Sequence, residues 1–154
     1  IENFIIPTLN PQQGGYQVAQ SKIAVGSGGF FGVGLGEGTQ VKFQYLPEAD
    51  TDFIISSIGE AFGFFFIFII ILIYLNLFYW LLDYAHKARN DFVSLLIIGY
   101  SSILFFHCII TLGMAVGIAP VTGLPAPFLS YGGTFTISCF IMTGICNNIS
   151  NNNI

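Results

Sequence analysis

Residues 45–63 read Tyr-Leu-Pro-Glu-Ala-Asp-Thr-Asp-Phe-Ile-Ile-Ser-Ser-Ile-Gly-Glu-Ala-Phe-Gly. An acidic, proline-bearing loop here runs straight into the longest hydrophobic stretch of the chain, Phe53–Leu82, 30 residues in which Glu60 is the single charged side chain. Crossing a bilayer takes ~20 apolar residues as a helix. A stretch this long therefore tilts or begins in the headgroup region, with Tyr79, Trp80 and Tyr84 marking its far interface. On that reading Asp52 stands at the water boundary and Glu60 lies about 12 Å deeper, at 1.5 Å per residue. Carboxylates at such a depth are costly unless they face protein or a wet cavity, which makes them functional candidates.

Helical spacing sharpens this. From about residue 51, positions 52, 56, 59, 60 and 63 fall on one stripe, occupied by Asp52, Ser56, Gly59, Glu60 and Gly63. Phe53, Ile54, Ile55, Ile58 and Phe62 make up the bulky remainder. A polar and small-residue stripe on a membrane helix should turn towards neighbouring helices or a water-filled cavity. Spacing alone also allows a plainer account, in which Asp50 or Thr51 caps the helix and Asp52 complements its positive end.

Composition supports the membrane reading. Of 154 residues, 54% are hydrophobic and only 8% charged, whereas about a quarter of a soluble domain is charged. The net charge of −4 and the lack of a basic patch exclude nucleic-acid binding. Cys108, Cys139 and Cys146 lie in apolar segments without a C-x-x-C pair and read as buried thiols. The chain opens at Ile1 with neither an initiator Met nor a signal pattern, as expected of a fragment that begins inside a loop.

Outward from the central stretch, Pro7, Pro11, Gly14 and Gly15 keep residues 1–14 out of any long helix. Residues 16–25 suit a short helix in the membrane interface. Gly26–Gly38 is dense in glycine but contains neither G-x-G-x-x-G nor a Walker lysine, so nucleotide binding is unsupported. It reads either as a compact structural loop or as backbone that approaches a ligand. Val41, Phe43 and Tyr45 alternate with polar residues, as in an extended segment. Two further spans are expected at 92–119, capped by Asn90 and Asp91, and at 128–146, followed by an Asn-rich tail.

Lys87 and Arg89 assign the short loop 83–91 to the cytoplasm. Residues 1–51 and the turn 120–127 then share the outer face, with 147–154 inside. At that outer face the Asp52 end of the first span meets the turn and Ser130-Tyr131-Gly132-Gly133-Thr134. Ser130 and Tyr131 offer hydrogen bonds there, while Gly132 and Gly133 leave room for a ligand. His107, mid-span, reads as a neutral histidine bonded to a neighbouring helix, and Gly113 with Gly117 as a packing notch.

Several motifs agree in order with one family. They are Gly15-Tyr16-Gln17, Gln20-Ser21, Ala24-Val25-Gly26-Ser27-Gly28-Gly29, Gly38-Thr39-Gln40, Leu46-Pro47-Glu48 and Thr51-Asp52-Phe53-Ile54, then Gly59-Glu60, Gly113-Met114, Pro120-Val121-Thr122-Gly123-Leu124-Pro125 and Ser130-Tyr131-Gly132-Gly133. Together they resemble the SEDS family of bacterial cell-shape, division and sporulation proteins (RodA, FtsW, SpoVE), with Gly113-Met114 and the Pro120–Pro125 turn nearer RodA. The chain departs from the pattern at Ala61, His107, Thr111, Ala126 and Phe135.

The resemblance implies an all-α integral membrane protein: three transmembrane helices preceded by a long extracytoplasmic loop, the C-terminal part of a ten-helix fold in the bacterial plasma membrane. It implies a peptidoglycan glycosyltransferase that polymerises lipid II onto a growing glycan strand, partnered by a class B penicillin-binding protein, the transpeptidase. The family's essential aspartate falls on Asp52, as general base. Glu48, Thr51, Ser56, Glu60, Ser130, Tyr131, Gly132 and Gly133 are its expected supporting or substrate-binding residues. No cofactor is implied, and a divalent cation is left open. A precursor transporter (flippase) and a non-catalytic scaffold for a transpeptidase are the alternative readings.

Overall fold

A computed structural model describes residues 14–43, 45–46 and 49–153, and every regular element among them is a helix. These are α1 (Gly14–Gly28), α2 (Thr39–Lys42), α3 (Ile54–Lys87), α4 (Asp91–Val116) and α5 (Gly133–Asn153). Expectations for residues 1–13 and for Glu48 lie outside the described residues. Residues 16–25 fall inside α1, whereas the extended segment expected at 41–45 begins instead as the single helical turn α2.

The long first span is not one helix. Gly63, within α3, takes φ 79° and ψ −178°, a region that essentially only glycine occupies. The break separates a short arm, 54–62, from a membrane-length arm, 64–87. In an unbroken helix the amides of Phe64 and Phe65 would bond to the carbonyls of Glu60 and Ala61. Here the glycine-rich loop supplies the partners instead. Phe64 and Phe65 donate to Gly29 O (3.0 Å) and Phe30 O (3.1 Å), while Glu60 O and Ala61 O accept from Val33 and Gly34 (both 3.0 Å). The break is thus fully compensated, and the glycines explain why: a Cβ on Gly28, Gly32 or Gly63 would collide with backbone across this seam.

Helix α4 has both ends specified. Asn90 Oδ1 accepts from Phe92 N at 3.0 Å as the N-cap. At the other end Gly117 is left-handed (φ 73°), with Gly117 N–H on Met114 O (3.0 Å) and Ile118 N–H on Gly113 O (2.8 Å). That pairing is a Schellman stop. Gly117 is therefore a helix terminator as well as half of a packing notch, and Lys22 and Val18 of α1 lie where its Cβ would go.

The core follows from two facing seams. Tyr74, Phe78, Leu81 and Ala85 of α3 meet Val93, Ile97, Tyr100, Leu104 and Cys108 of α4, with Cys139 and Cys146 of α5 against them. Tyr100 Oη bonds to Cys139 O and Thr143 Oγ1, each at 2.8 Å, tying α5 to α4. All three cysteines are buried free thiols. A smaller cluster of Ile55, Ile67, Ala115 and Ala126 joins the two arms of α3 to the end of α4.

Helices α3 and α4 are long and apolar enough to cross a membrane; α5 is not among the helices that meet that test. The third span expected at 128–146 instead begins at Gly133 and continues to Asn153. Its last residues carry Asn147, Asn148, Asn151, Asn152 and Asn153 in helical conformation, so most of the Asn-rich tail belongs to the helix. His107 also differs from expectation. Its ring stacks on Phe135 of α5 (centroids 4.9 Å, 15° apart), and Nδ1 finds no hydrogen-bond partner among the described residues. Two departures from the family pattern, His107 and Phe135, therefore pack on each other.

Candidate active site

The short arm of α3 is held from beneath by Phe53, its N-cap residue. Phe53 is fully buried, makes no side-chain cap, and accepts the amides of Ser56 (2.9 Å) and Ser57 (3.1 Å) on its carbonyl. Asp52, one residue earlier, is thereby fixed just outside the helix. Its other side is set by the turn before α5. Ser130 Oγ donates to Thr51 O at 2.6 Å and accepts the Ala126 amide at 2.7 Å. Tyr131 N–H reaches Asp50 O at 3.0 Å. The residues flanking Asp52 are thus stitched to residues 126–131, some 80 positions away in the chain.

The carboxylate itself lies over Gly123. This residue is left-handed (φ 68°), and Asp52 Oδ2 is 3.6 Å from where a Cβ on it would stand. A third strut comes from inside the bundle: Tyr74 Oη donates to Pro127 O at 2.6 Å, securing the turn to the membrane arm. Sequence reasoning singled out neither Gly123 nor Tyr74. Gly123 was visible only as part of a turn, and Tyr74 only as one aromatic among many.

Ser130 is buried and saturated by these bonds, so it positions the corner rather than facing a ligand. Loss of its hydroxyl would orphan the Thr51 carbonyl and the Ala126 amide. Ser130→Ala is expected to cost about 1–3 kcal/mol, read from thermal unfolding in detergent, and an unchanged transition would show that water replaces the hydroxyl. The Tyr131 ring, in contrast, is 84% exposed. Gly132 has only ordinary contacts and Gly133 opens on free space, so neither is glycine for steric reasons.

Two expected site residues are placed elsewhere. Ser56 is buried against Ser21 of α1, Oγ to Oγ 2.7 Å, and Ser21 donates to Ala115 O at 2.8 Å. Since Ser21 has one proton to give, Ser56 must be the donor between them; the pair ties α1, α3 and α4 together. Glu60, 1% exposed, turns away to the start of α2, where its two oxygens accept the Gln40 (2.9 Å) and Val41 (3.1 Å) amides. A carboxylate on the unpaired amides of a helix start is favourable. Gly38 lets it approach, because a Cβ there would stand 2.5 Å from the Glu60 carboxyl carbon.

The stripe read from spacing is real as a buried face, but from Ser56 onward it meets α1 and the glycine loop rather than water. Glu60→Ala is expected to lower stability by about 1–3 kcal/mol, with Glu60→Gln losing less because it keeps an acceptor. Equal unfolding temperatures for the two variants would contradict this. Among the described residues no group of three His, Cys, Asp or Glu comes together to hold a metal.

Comparison with known proteins places this architecture. The family model for FtsW, RodA and SpoVE, described as cell cycle proteins, matches residues 1–154. The chain belongs to this family. Among its relatives, a probable peptidoglycan glycosyltransferase FtsW of Trichlorobacter lovleyi is 41% identical over 97% of this chain and 39% of its own length. A peptidoglycan glycosyltransferase RodA of Treponema pallidum is 36% identical over 96% of this chain and 34% of its own length. Stage V sporulation protein E of Bacillus subtilis is 37% identical over 97% of this chain and 41% of its own length.

This SEDS chain thus spans about 40% of the length of such relatives. They carry FtsW, RodA and sporulation names at similar identity, so the leaning towards RodA read from two motifs gains no support. A solved structure of a peptidoglycan synthase complex, one that coordinates polymerization and crosslinking, contains a chain with the same fold. The match has a TM-score of 0.79 and 24% identity, over 99% of this chain and 40% of that one.

Proposed function

We propose that this SEDS chain carries the catalytic base of a peptidoglycan glycosyltransferase acting at the outer surface of a bacterial plasma membrane. The observation that carries the reading is the anchoring of Asp52. The two residues before it, Asp50 and Thr51, are tied to the Ser130–Tyr131 corner, Phe53 after it starts α3, and its carboxylate lies over Gly123 at the start of the membrane bundle. A base must be held in place to be effective, and the backbone that carries this one is anchored by the Ser130 hydroxyl and the Tyr131 amide.

In the reaction, Asp52 takes the proton from the 4-hydroxyl of the acceptor sugar as that oxygen attacks the anomeric carbon of the lipid-linked donor. The new glycosidic bond forms as the bond to pyrophosphate breaks, with inversion. The lipid pyrophosphate leaves as a stable anion, so a strong general acid is not required. Lipid II and the glycan strand are the substrates, and a class B penicillin-binding protein is the partner. A lipid-anchored substrate accounts for a carboxylate at the membrane surface.

The deciding experiment reconstitutes the native full-length protein in vesicles with labelled lipid II. Glycan polymer is expected. Transfer of label across the bilayer without polymer would replace this reading with transport, and neither activity, with transpeptidase binding intact, would leave a scaffold.

A further inference from the structure

The glycine-rich loop presents apolar side chains that the catalytic reading does not use. Residues 29–36, Gly-Phe-Phe-Gly-Val-Gly-Leu-Gly, hold no charge, yet Phe31 is 80%, Leu35 76% and Phe30 58% exposed. Clusters of this kind mark a binding surface. Three observations identify what it binds.

The first is depth. The bonds from Phe64 and Phe65 to Gly29 and Phe30 hold the loop level with the first turn of the membrane arm. At the opposite end of that arm Trp80 and Tyr84 pack together (5.8 Å), beside the exposed Asp83–Lys87 ion pair (2.6 Å). Such an ion pair belongs in water and such aromatics in the interface. Phe65 lies about 22 Å from Trp80 and about 28 Å from Tyr84 along the helix, at 1.5 Å per residue. The hydrocarbon layer is about 30 Å thick. Phe30 and Phe31 therefore sit at the inner edge of the opposite interface.

The second is continuity. Phe30 rests on Phe31 (5.0 Å) and near Phe65 (6.2 Å), so the loop rings extend the exposed face of Phe64, Phe65 and Phe68 on the membrane arm. The third is backbone satisfaction. Irregular chain is tolerated near hydrocarbon only if its polar groups are paired within the protein. The amides of Gly29, Gly32, Val33 and Gly34 and the carbonyls of Gly29 and Phe30 all have protein partners.

We propose that Gly29–Leu35 is a wedge inserted into the lipid bilayer, with Phe30, Phe31 and Leu35 among the upper acyl chains and Glu37 returned to the headgroups. Its partner is the lipid surface itself, and the assignment is independent of any catalytic role for Asp52.

The test places a nitroxide at position 31 through Phe31→Cys, and separately at 35 through Leu35→Cys, in the native full-length protein in phosphatidylglycerol-containing vesicles. Glu37→Cys serves as the reference. The thiols Cys108, Cys139 and Cys146 are buried, and the same protein without the introduced cysteine, labelled in parallel, supplies the background. At 31 and 35, collisions with dissolved oxygen are expected to exceed those with a water-soluble nickel chelate several-fold, with the order reversed at 37. Dominant nickel collisions at 31 and 35 would put the loop in water and overturn the proposal. Shielding from both probes would mean that protein covers the patch, which overturns it equally. The two labelled positions are read independently, so failure of one variant to fold leaves the other decisive.

Discussion

Asp52→Asn, in the native full-length protein, is expected to cut lipid II polymerisation by on the order of 100- to 10,000-fold, the usual contribution of a positioned general base. The amide is isosteric with the carboxylate, so it keeps the contact over Gly123 and leaves the Ser130 and Tyr131 bonds to residues 50 and 51 untouched. The unfolding temperature and the binding of a transpeptidase should accordingly stay at their wild-type values. Asp52→Glu is expected to recover little. One more methylene moves the carboxylate away from the position over Gly123 that the native side chain holds. Near-wild-type polymer from the Asn variant would remove Asp52 from the chemistry and, with it, the proposed mechanism.

A large effect on stability is expected at Gly63. An alanine would meet Gly32 N and stand 2.5 Å from Phe30 O, in a backbone conformation closed to L-residues. The strain alone is worth about 1–3 kcal/mol. Escaping it by forming a continuous helix releases the four loop-to-helix bonds and restores only two within the helix, a net loss of two at about 0.5–1.5 kcal/mol each. By either route Gly63→Ala should lower stability by about 1–3 kcal/mol, detectable as a drop in thermal unfolding temperature in detergent. Backbone amide exchange at Val33 and Gly34 should rise with it, because these amides lose Glu60 O and Ala61 O. Wild-type exchange at both would show that the seam tolerates a side chain.

These two positions also mark what the sequence conveys and what it withholds. Two membrane-length apolar helices were legible from hydropathy, and the start of α4 from Asn90, because both signals are local. Family membership was legible from motif order, while the bonds from Ser130 and Tyr131 run to the carbonyls of Thr51 and Asp50 rather than to Asp52. The break at Gly63 was not, because Phe62 through Phe66 reads as uninterrupted helix and the cause is a loop about 30 residues earlier. Glu60 was misplaced for a related reason. A carboxylate on a helical stripe looks the same whether it faces a cavity or caps a distant turn, and α2 itself was read as extended from three alternating apolar residues. The role of Ser56 likewise depends on Ser21 arriving from α1, which no spacing within α3 could show.

The left-handed residue in α3 has a further bearing on what could travel along this helix. A residue at φ 79° resets the rotational phase of the chain, so the side of α3 that bears Ser56 and Glu60 does not continue in register beyond position 63. From Phe64 to Leu82 the polar atoms are confined to Tyr74, Asn76, Tyr79 and Trp80, and the Tyr74 hydroxyl is already committed to Pro127. Beyond position 63 this helix therefore offers no continuous row of polar side chains across the membrane-length arm.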